Sequence, residues 1–202
     1  MPDAVRHAVV IGGGNGIGEA TCRLVSGRGW RVVVADRDRP AAERVAADAG
    51  GHALVMDIAI ADEVERAASA IASAHGPVSA LVVAAAMFQD VLPPAQLPME
   101  VWERTLQVSL TGTYLANRAF GARMAACGGG SIVNIASIAA IASMPVQAYG
   151  TSKAAVVALT RNLAGEWGRA GVRVNAVSPG SMLVPRVEQR IKSGRYAGDP
   201  GA

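Results

Sequence analysis

Six short runs rich in β-branched residues, at 5–11, 31–35, 52–56, 78–84, 131–135 and 172–177, are each followed by a longer Ala-rich or helically patterned segment. This switching between a strand period and a helix period predicts six βα steps. Runs such as Val32-Val33-Val34 and Leu81-Val82-Val83 are apolar throughout rather than alternating. Strands read that way when helices cover both faces of a parallel sheet. The expected fold is a doubly wound α/β parallel sheet of about six strands. Helix punctuation agrees: Asp38 can cap the second helix with Pro40 in its first turn, and Asp62 and Glu63 open the third at its positive end. Two longer helices are expected at about 101–126 and 147–169.

Composition narrows the classes of function. A chain of 202 residues with 51% hydrophobic and 17% charged side chains has the apolar surface to fold, and its length fits one domain. No apolar stretch reaches the roughly 18 residues of a membrane span, and the N-terminus lacks a signal core, so a cytoplasmic location away from membranes is expected. Cys22 and Cys127 sit in helical segments and are expected as free thiols. The net charge of +3 comes from scattered arginines among few aromatics, which argues against nucleic acid. His7, His52 and His75 lack metal-ligand spacing, so no metal is expected.

The first strand runs into Gly12-Gly13-Gly14-Asn15-Gly16-Ile17-Gly18 and then a helical segment. Glycines permit a tight turn, and their missing side chains let a pyrophosphate approach backbone N–H groups and a helix N-terminus. Asp36 closes the second strand, where a carboxylate can accept both ribose hydroxyls of an adenosine and repel a 2′-phosphate. That favours NAD over NADP, with Arg37 the residue that could soften the preference.

Ser137 ends the fifth run, and twelve positions on Tyr149 and Lys153 stand at i and i+4 on one helix face. A free phenol titrates near pH ~10, and a neighbouring ammonium makes it a usable proton donor and acceptor closer to neutrality. Lys153 is one of two lysines against seventeen arginines. A compact ammonium that can release its proton suits a relay better than guanidinium does.

Together, Gly12, Gly16 and Gly18, Asp36, Asp57 after the third strand, Ser137, Tyr149 with Lys153, and Asn175-Ala176-Val177-Ser178-Pro179-Gly180 resemble the short-chain dehydrogenase/reductase family over residues 5 to about 184. The resemblance implies a Rossmann-type sheet in which Tyr149 is the general acid/base. Lys153 would hold the nicotinamide ribose, Ser137 would position the carbonyl or hydroxyl, and Asp57 would contact adenine. Asn15, Ile17, Ala85, Pro179 and Gly180 join the glycines and Asp36 as expected cofactor contacts. The chain departs from the family at Val83-Ala84-Ala85-Ala86, where the pattern has two amides and a glycine. Ser109 stands where the family has an asparagine that orders a proton relay, and Val184 replaces a threonine that meets the nicotinamide amide.

Only 22 residues follow Gly180, so the family's substrate-covering segment and seventh strand are expected to be missing, leaving the sixth strand at an edge. Residues 1–184 are read as the dinucleotide-binding unit with the catalytic residues, and 185–202 as a short tail, helical near Val187 to Lys192 and fraying beyond. The function expected is NAD-dependent hydride transfer between nicotinamide and a secondary alcohol or ketone, the alternative being a non-catalytic nucleotide-binding relative. A homodimer through the helices at 101–126 and 147–169 is expected, because Trp102, Leu106, Leu110, Leu115, Phe120, Met124, Val156, Leu159, Leu163 and Trp167 exceed what one sheet face covers. Met87, Phe88 and Gln89, after the fourth strand, are expected either to border a substrate pocket or to pack.

Overall fold

The computed structural model describes residues 6–182 together with 188, 189, 192 and 193. The readings of Val184 and of the tail beyond it fall largely outside these residues. Six strands, β1 (His7–Ile11), β2 (Arg31–Asp36), β3 (His52–Val55), β4 (Ala80–Val83), β5 (Gly130–Ile135) and β6 (Val172–Val177), form one sheet in the order β3-β2-β1-β4-β5-β6. Every pairing is parallel. All six predicted runs are strands, though β4 is shorter than its run of 78–84. Beyond Val83 the amides of Ala84 and Ala85 both turn to the Ile11 carbonyl, at 2.8 and 3.0 Å, which ends the ladder.

The uniformly apolar strands have the predicted cause. Side chains alternate across a strand, so Val10, Val32 and Val34 pack with Cys22, Ala42, Val45 and Ala46 of helices α1 (Gly16–Ser26) and α2 (Arg39–Asp48). Val9, Ile11, Val33 and Leu81 face the other way, against helices α3 (Ala61–His75) and α5 (Gly112–Ala126). Each such buried side chain contributes about 1.5–3 kcal/mol. Asp38 caps α2, accepting from the Ala41 amide at 3.1 Å, and Asp62 and Glu63 occupy the first turn of α3.

The long segment predicted at 101–126 is two helices, α4 (Met99–Leu106) and α5, joined through a wider π turn at Gln107–Thr111. Gln107 reaches the Ala59 carbonyl at 2.9 Å and Ser109 the Met87 backbone, contacts that draw this turn toward the sheet's C-terminal edge. Helix α6 spans Gln147–Trp167 and packs on β6. Gly121 has no Cβ because the Trp167 ring lies there; an added Cβ would meet Cη2 of that ring at 2.5 Å. Of the ten apolar residues counted toward a subunit interface, Leu115, Phe120, Met124 and Val156 are buried in the chain's own core. Leu163 and Trp167 also pack against that core, so less apolar surface is left over than the sequence suggested.

Candidate active site

The strand order reverses between β1 and β4, and at such a switch point the loops leaving adjacent strand ends diverge and open a crevice. A cleft of about 400 Å³ lies there. Its wall runs from Asp36 and Asp57 at one end, past the glycine loop and Ala84 to Ala86, to Ser137, Tyr149 and Pro179 to Met182 at the other.

The glycine loop is held by both its neighbours. Gly12 adopts φ 77°, and an added Cβ would lie 2.7 Å from the Ala85 Cα, so only glycine lets β1 and β4 close up here. Gly18 fits α1 against the loop, since its Cβ would lie 2.8 Å from the Gly12 carbonyl carbon. The N-cap Asn15 makes no side-chain bond to the helix, leaving the first N–H groups of α1 directed at the cleft. Arg44 of α2 carries no motif in the sequence, yet it donates to the Gly14 carbonyl at 3.0 Å and pairs with Glu19 at 2.9 Å. The Arg44 hydrogen bond, with Arg23 assisting against the opposing effect of burial, holds the Glu19 carboxyl down to about 2.

At the same end, Asp36 accepts from the Gly14 amide at 2.9 Å and the Asp38 amide at 3.1 Å, which fixes its carboxylate at the cleft wall. Asp57 accepts from the Ala59 amide at 2.9 Å and from Arg104 at 2.8 Å. Burial raises its pKa, but these donors outweigh it and hold the carboxyl below the usual range.

At the other end, Tyr149 lies in the first turn of α6 and is 9% exposed, with the Phe88 ring 4.2 Å away, centroid to centroid, tilted by 39°. Lys153, one turn on, is 1% exposed. Its Nζ donates to the Ile135 carbonyl at 2.6 Å and lies 5.6 Å from the Tyr149 ring centroid. Burial lowers the Lys153 pKa to about 8. Ser137 accepts from the Ala139 amide at 3.1 Å, at the end of β5.

The residues picked out from sequence therefore gather along one cleft, with two exceptions. Lys153 sits behind the wall beside Tyr149. Ser109 is fully buried rather than on the cleft wall, and its hydroxyl is engaged with the Met87 backbone, accepting from the amide at 3.0 Å. Met87 and Phe88 border the cleft, whereas Gln89 is buried beneath it, its Oε1 accepting from the amides of Ala148 at 2.6 Å and Tyr149 at 3.1 Å.

A further group went unmarked in the sequence. Asn134 of β5 donates to Thr160 of α6 at 3.0 Å and accepts from Asn117 of α5 at 2.8 Å, while Asn117 and Thr113 donate to the carbonyls of Thr113 and Ser109. This buried ladder ties the strand that ends in Ile135 and Ser137 to the helix that carries Tyr149. His7, His52 and His75, scattered in sequence, come together away from the cleft: the His52 and His75 rings stack at 4.6 Å and His7 meets His75 at 5.9 Å. Among the described residues they form no metal-holding group. Nor is any helix there long and apolar enough to cross a membrane.

The short chain dehydrogenase family profile matches residues 6–194. The D-threitol dehydrogenase of Mycolicibacterium smegmatis is 36% identical, over 94% of this chain and 80% of the relative. The cis-4-hydroxycyclohexanecarboxylate dehydrogenase of Sinomonas cyclohexanicum is 37% identical, over 91% and 76%. A crystal structure from Brucella melitensis, named as a ribose-5-phosphate isomerase, superposes with a TM-score of 0.94 at 46% identity, covering 96% of this chain and 76% of that one. The chain belongs to the short chain dehydrogenase family, oxidoreductases that act on alcohols with a nicotinamide cofactor.

Proposed function

We propose that this protein is an NAD-dependent oxidoreductase interconverting a secondary alcohol and its ketone, with Tyr149 as the proton donor and acceptor. The observation that carries the reading is the Tyr149 phenol at the cleft wall with the buried Lys153 ammonium one helical turn behind it and Ser137 at the adjoining strand end. The cleft suits a dinucleotide. Gly12 and Gly18 let β1, β4 and α1 close up around the loop that borders the cleft, and the open N-terminus of α1 favours negative charge there. When bound, the nicotinamide supplies the hydride acceptor or donor.

The chain's own residues do the rest. Ser137 and Tyr149 hold the substrate oxygen. In oxidation Tyr149 takes the hydroxyl proton, and in reduction it returns it. The Lys153 charge, in low dielectric, lowers the cost of negative charge on the phenol oxygen. Asp36, its carboxylate held by two amides, would meet a 2′-phosphate as a like charge, which supports NAD over NADP even with Arg37 on the same wall.

The Tyr149 end of the cleft is apolar: Ala139, Val146, Phe88 and Met144 cluster around the phenol. A polyol would bring several hydroxyls against these side chains, and each unpartnered buried hydroxyl costs about 1–3 kcal/mol. Between the substrates named for the two dehydrogenase relatives, this supports a ring or chain alcohol with hydrocarbon flanks rather than a tetritol. The isomerase named for the Brucella structure would call for no dinucleotide, and the glycine loop supports the redox reading instead.

The test follows NADH absorbance with cyclohexanol-type alcohols and with threitol, using wild type and Tyr149→Phe. Turnover lost by about 10²–10⁴-fold in the variant, with NAD affinity unchanged, is expected. A variant with the wild-type rate would remove the phenol from the mechanism. The engagement of Ser109 with Met87 favours a second reading, nucleotide binding without turnover. NAD binding by calorimetry with no turnover across the alcohols and the matching ketones would select it.

A further inference from the structure

We propose that Gln89 is a positioning residue for Tyr149, acting as the cap that α6 cannot provide from its own sequence. A helix begins with N–H groups that have no partner in the helix, and the side chain at the N-cap usually accepts from the second or third of them. In α6 the N-cap is Val146, fully buried and without a side-chain acceptor. The second and third residues of the helix are Ala148 and Tyr149, and both their amides donate to Oε1 of Gln89, from a loop 59 and 60 residues earlier. Gln89 is 1% exposed, so water does not compete for these bonds. Its Nε2 donates to Gln147 Oε1 at 3.2 Å, which fixes which way the amide faces, and Gln147 in turn reaches the Leu92 carbonyl at 3.4 Å.

The consequence concerns more than helix stability, because the capped turn is the one that bears the phenol. Phe88, next in the loop, lies against the Tyr149 ring, and Met87 is fastened to Ser109 in the π turn. The same loop starts at Ala84 and Ala85, which border the cleft beside the glycine loop. Residues 84–89 thus carry position from the cofactor side of the cleft to the backbone of Tyr149. Gln89 is the link that fixes the phenol relative to Lys153. Displacement of a reacting group by about 1 Å can cost on the order of a hundredfold in rate.

This inference rests on the reading of Tyr149 as the acid/base, and its test has one readout that needs no turnover. Ionisation of Tyr149 is followed by tyrosinate absorbance, isolated by subtracting the Tyr149→Phe protein, in wild type, Gln89→Leu and Gln89→Glu. Glutamate keeps the acceptor for both amides; leucine does not. In Gln89→Leu the Tyr149 transition is expected to move away from its wild-type position, and in Gln89→Glu to move less. With a substrate in hand, kcat in Gln89→Leu should fall by about ten- to a hundredfold while NAD affinity stays within about twofold, and Gln89→Glu should recover kcat. An unmoved Tyr149 transition in Gln89→Leu would overturn the proposal. So would a folded Gln89→Glu protein as impaired as the leucine variant, and this arm holds if leucine prevents folding. A moved transition in a protein that oxidises no alcohol would leave the positioning role standing and refute the enzymatic reading instead.

Discussion

Replacing Lys153 with methionine should make the protein more stable at neutral pH while abolishing its activity. The lysine is 1% exposed; its hydrogen-bond acceptor is the Ile135 carbonyl, and among the described residues no carboxylate pairs with it. Burial brings its pKa from 10.5 to about 8. At about 1.36 kcal/mol per pH unit, that difference amounts to about 3 kcal/mol of folding free energy lost to holding the charge. Methionine matches the apolar stem in volume but leaves the Ile135 carbonyl without its donor, a loss of about 1 kcal/mol. The net gain expected at pH 7 is therefore about 2 kcal/mol.

The pH dependence gives this prediction its sign. Below about pH 8 the lysine is charged in both folded and unfolded chains, so its penalty is constant. Between about pH 8 and 10.5 the folded chain has released the proton while the unfolded chain keeps it, so wild-type stability climbs with pH relative to the variant. Urea unfolding of the cofactor-free proteins, followed by circular dichroism at pH 7, 8, 9 and 10, measures the difference. Taking wild type minus variant cancels other groups that titrate in this range. The methionine variant should lead by about 2 kcal/mol at pH 7, and the lead should shrink through pH 9 and 10. A variant less stable than wild type at pH 7, with a difference that does not change with pH, would refute the account of a charge buried at a cost.

Other predictions concern the rest of the molecule. Burial, then His75, Arg31 and His52, lower the pKa of His7, and its Nε2 is buried without a hydrogen-bond partner among the described residues. The unfolded chain therefore protonates first as pH falls below 6.5, and wild type should lose stability to acid faster than His7→Phe; parallel denaturation curves would exclude it. Asp36→Asn should narrow the preference for NAD over NADP by about tenfold in calorimetric titrations, and an unchanged ratio would leave Arg37 as the residue that sets it. Half-buried Leu110, in the π turn between α4 and α5, and Leu159, on α6, are expected at a homodimer interface. Light scattering should show a particle larger than the 20.6 kDa chain, reduced to that mass by Leu159→Arg, and a wild-type monomer would exclude the interface.

What could be read in the sequence was whatever depends on neighbours along the chain. Val32-Val33-Val34 announces a strand covered on both faces, Asp38 with Pro40 a helix start, and Tyr149 with Lys153 a shared helix face, because each signal lies within one or two turns of chain. The π turn at Gln107–Thr111 has no such local mark; it follows from where Gln107 and Ser109 find partners, in Ala59 and Met87. Arg44 reads as one arginine among seventeen until the strand order brings α2 beside the glycine loop. The histidines illustrate the same limit: positions 7, 52 and 75 share no spacing, yet β1, β3 and the last turn of α3 bring their rings together. Val146 at the start of α6 is the reverse case, a missing local signal whose replacement lies in another loop.

The charge of Lys153 and the buried polar ladder belong to one arrangement. An ammonium this deeply enclosed lowers the stability of the fold, and it stays beside the phenol only if the strand and helix around it cannot move apart to let water in. Ile135, whose carbonyl receives the ammonium, follows directly on Asn134, and Asn134 is joined to Thr160 of the same helix that carries Lys153. Asn117 and Thr113 extend the connection to the carbonyl of Ser109, and Ser109 holds the loop that ends in Gln89. The side chains of Asn134, Asn117, Thr113 and Thr160 in this ladder are all hydrogen-bonded, so it resists the opening that would relieve the lysine. The site thus gives up stability at one residue, and neighbouring hydrogen bonds from β5, α5 and α6 hold the reacting groups in register.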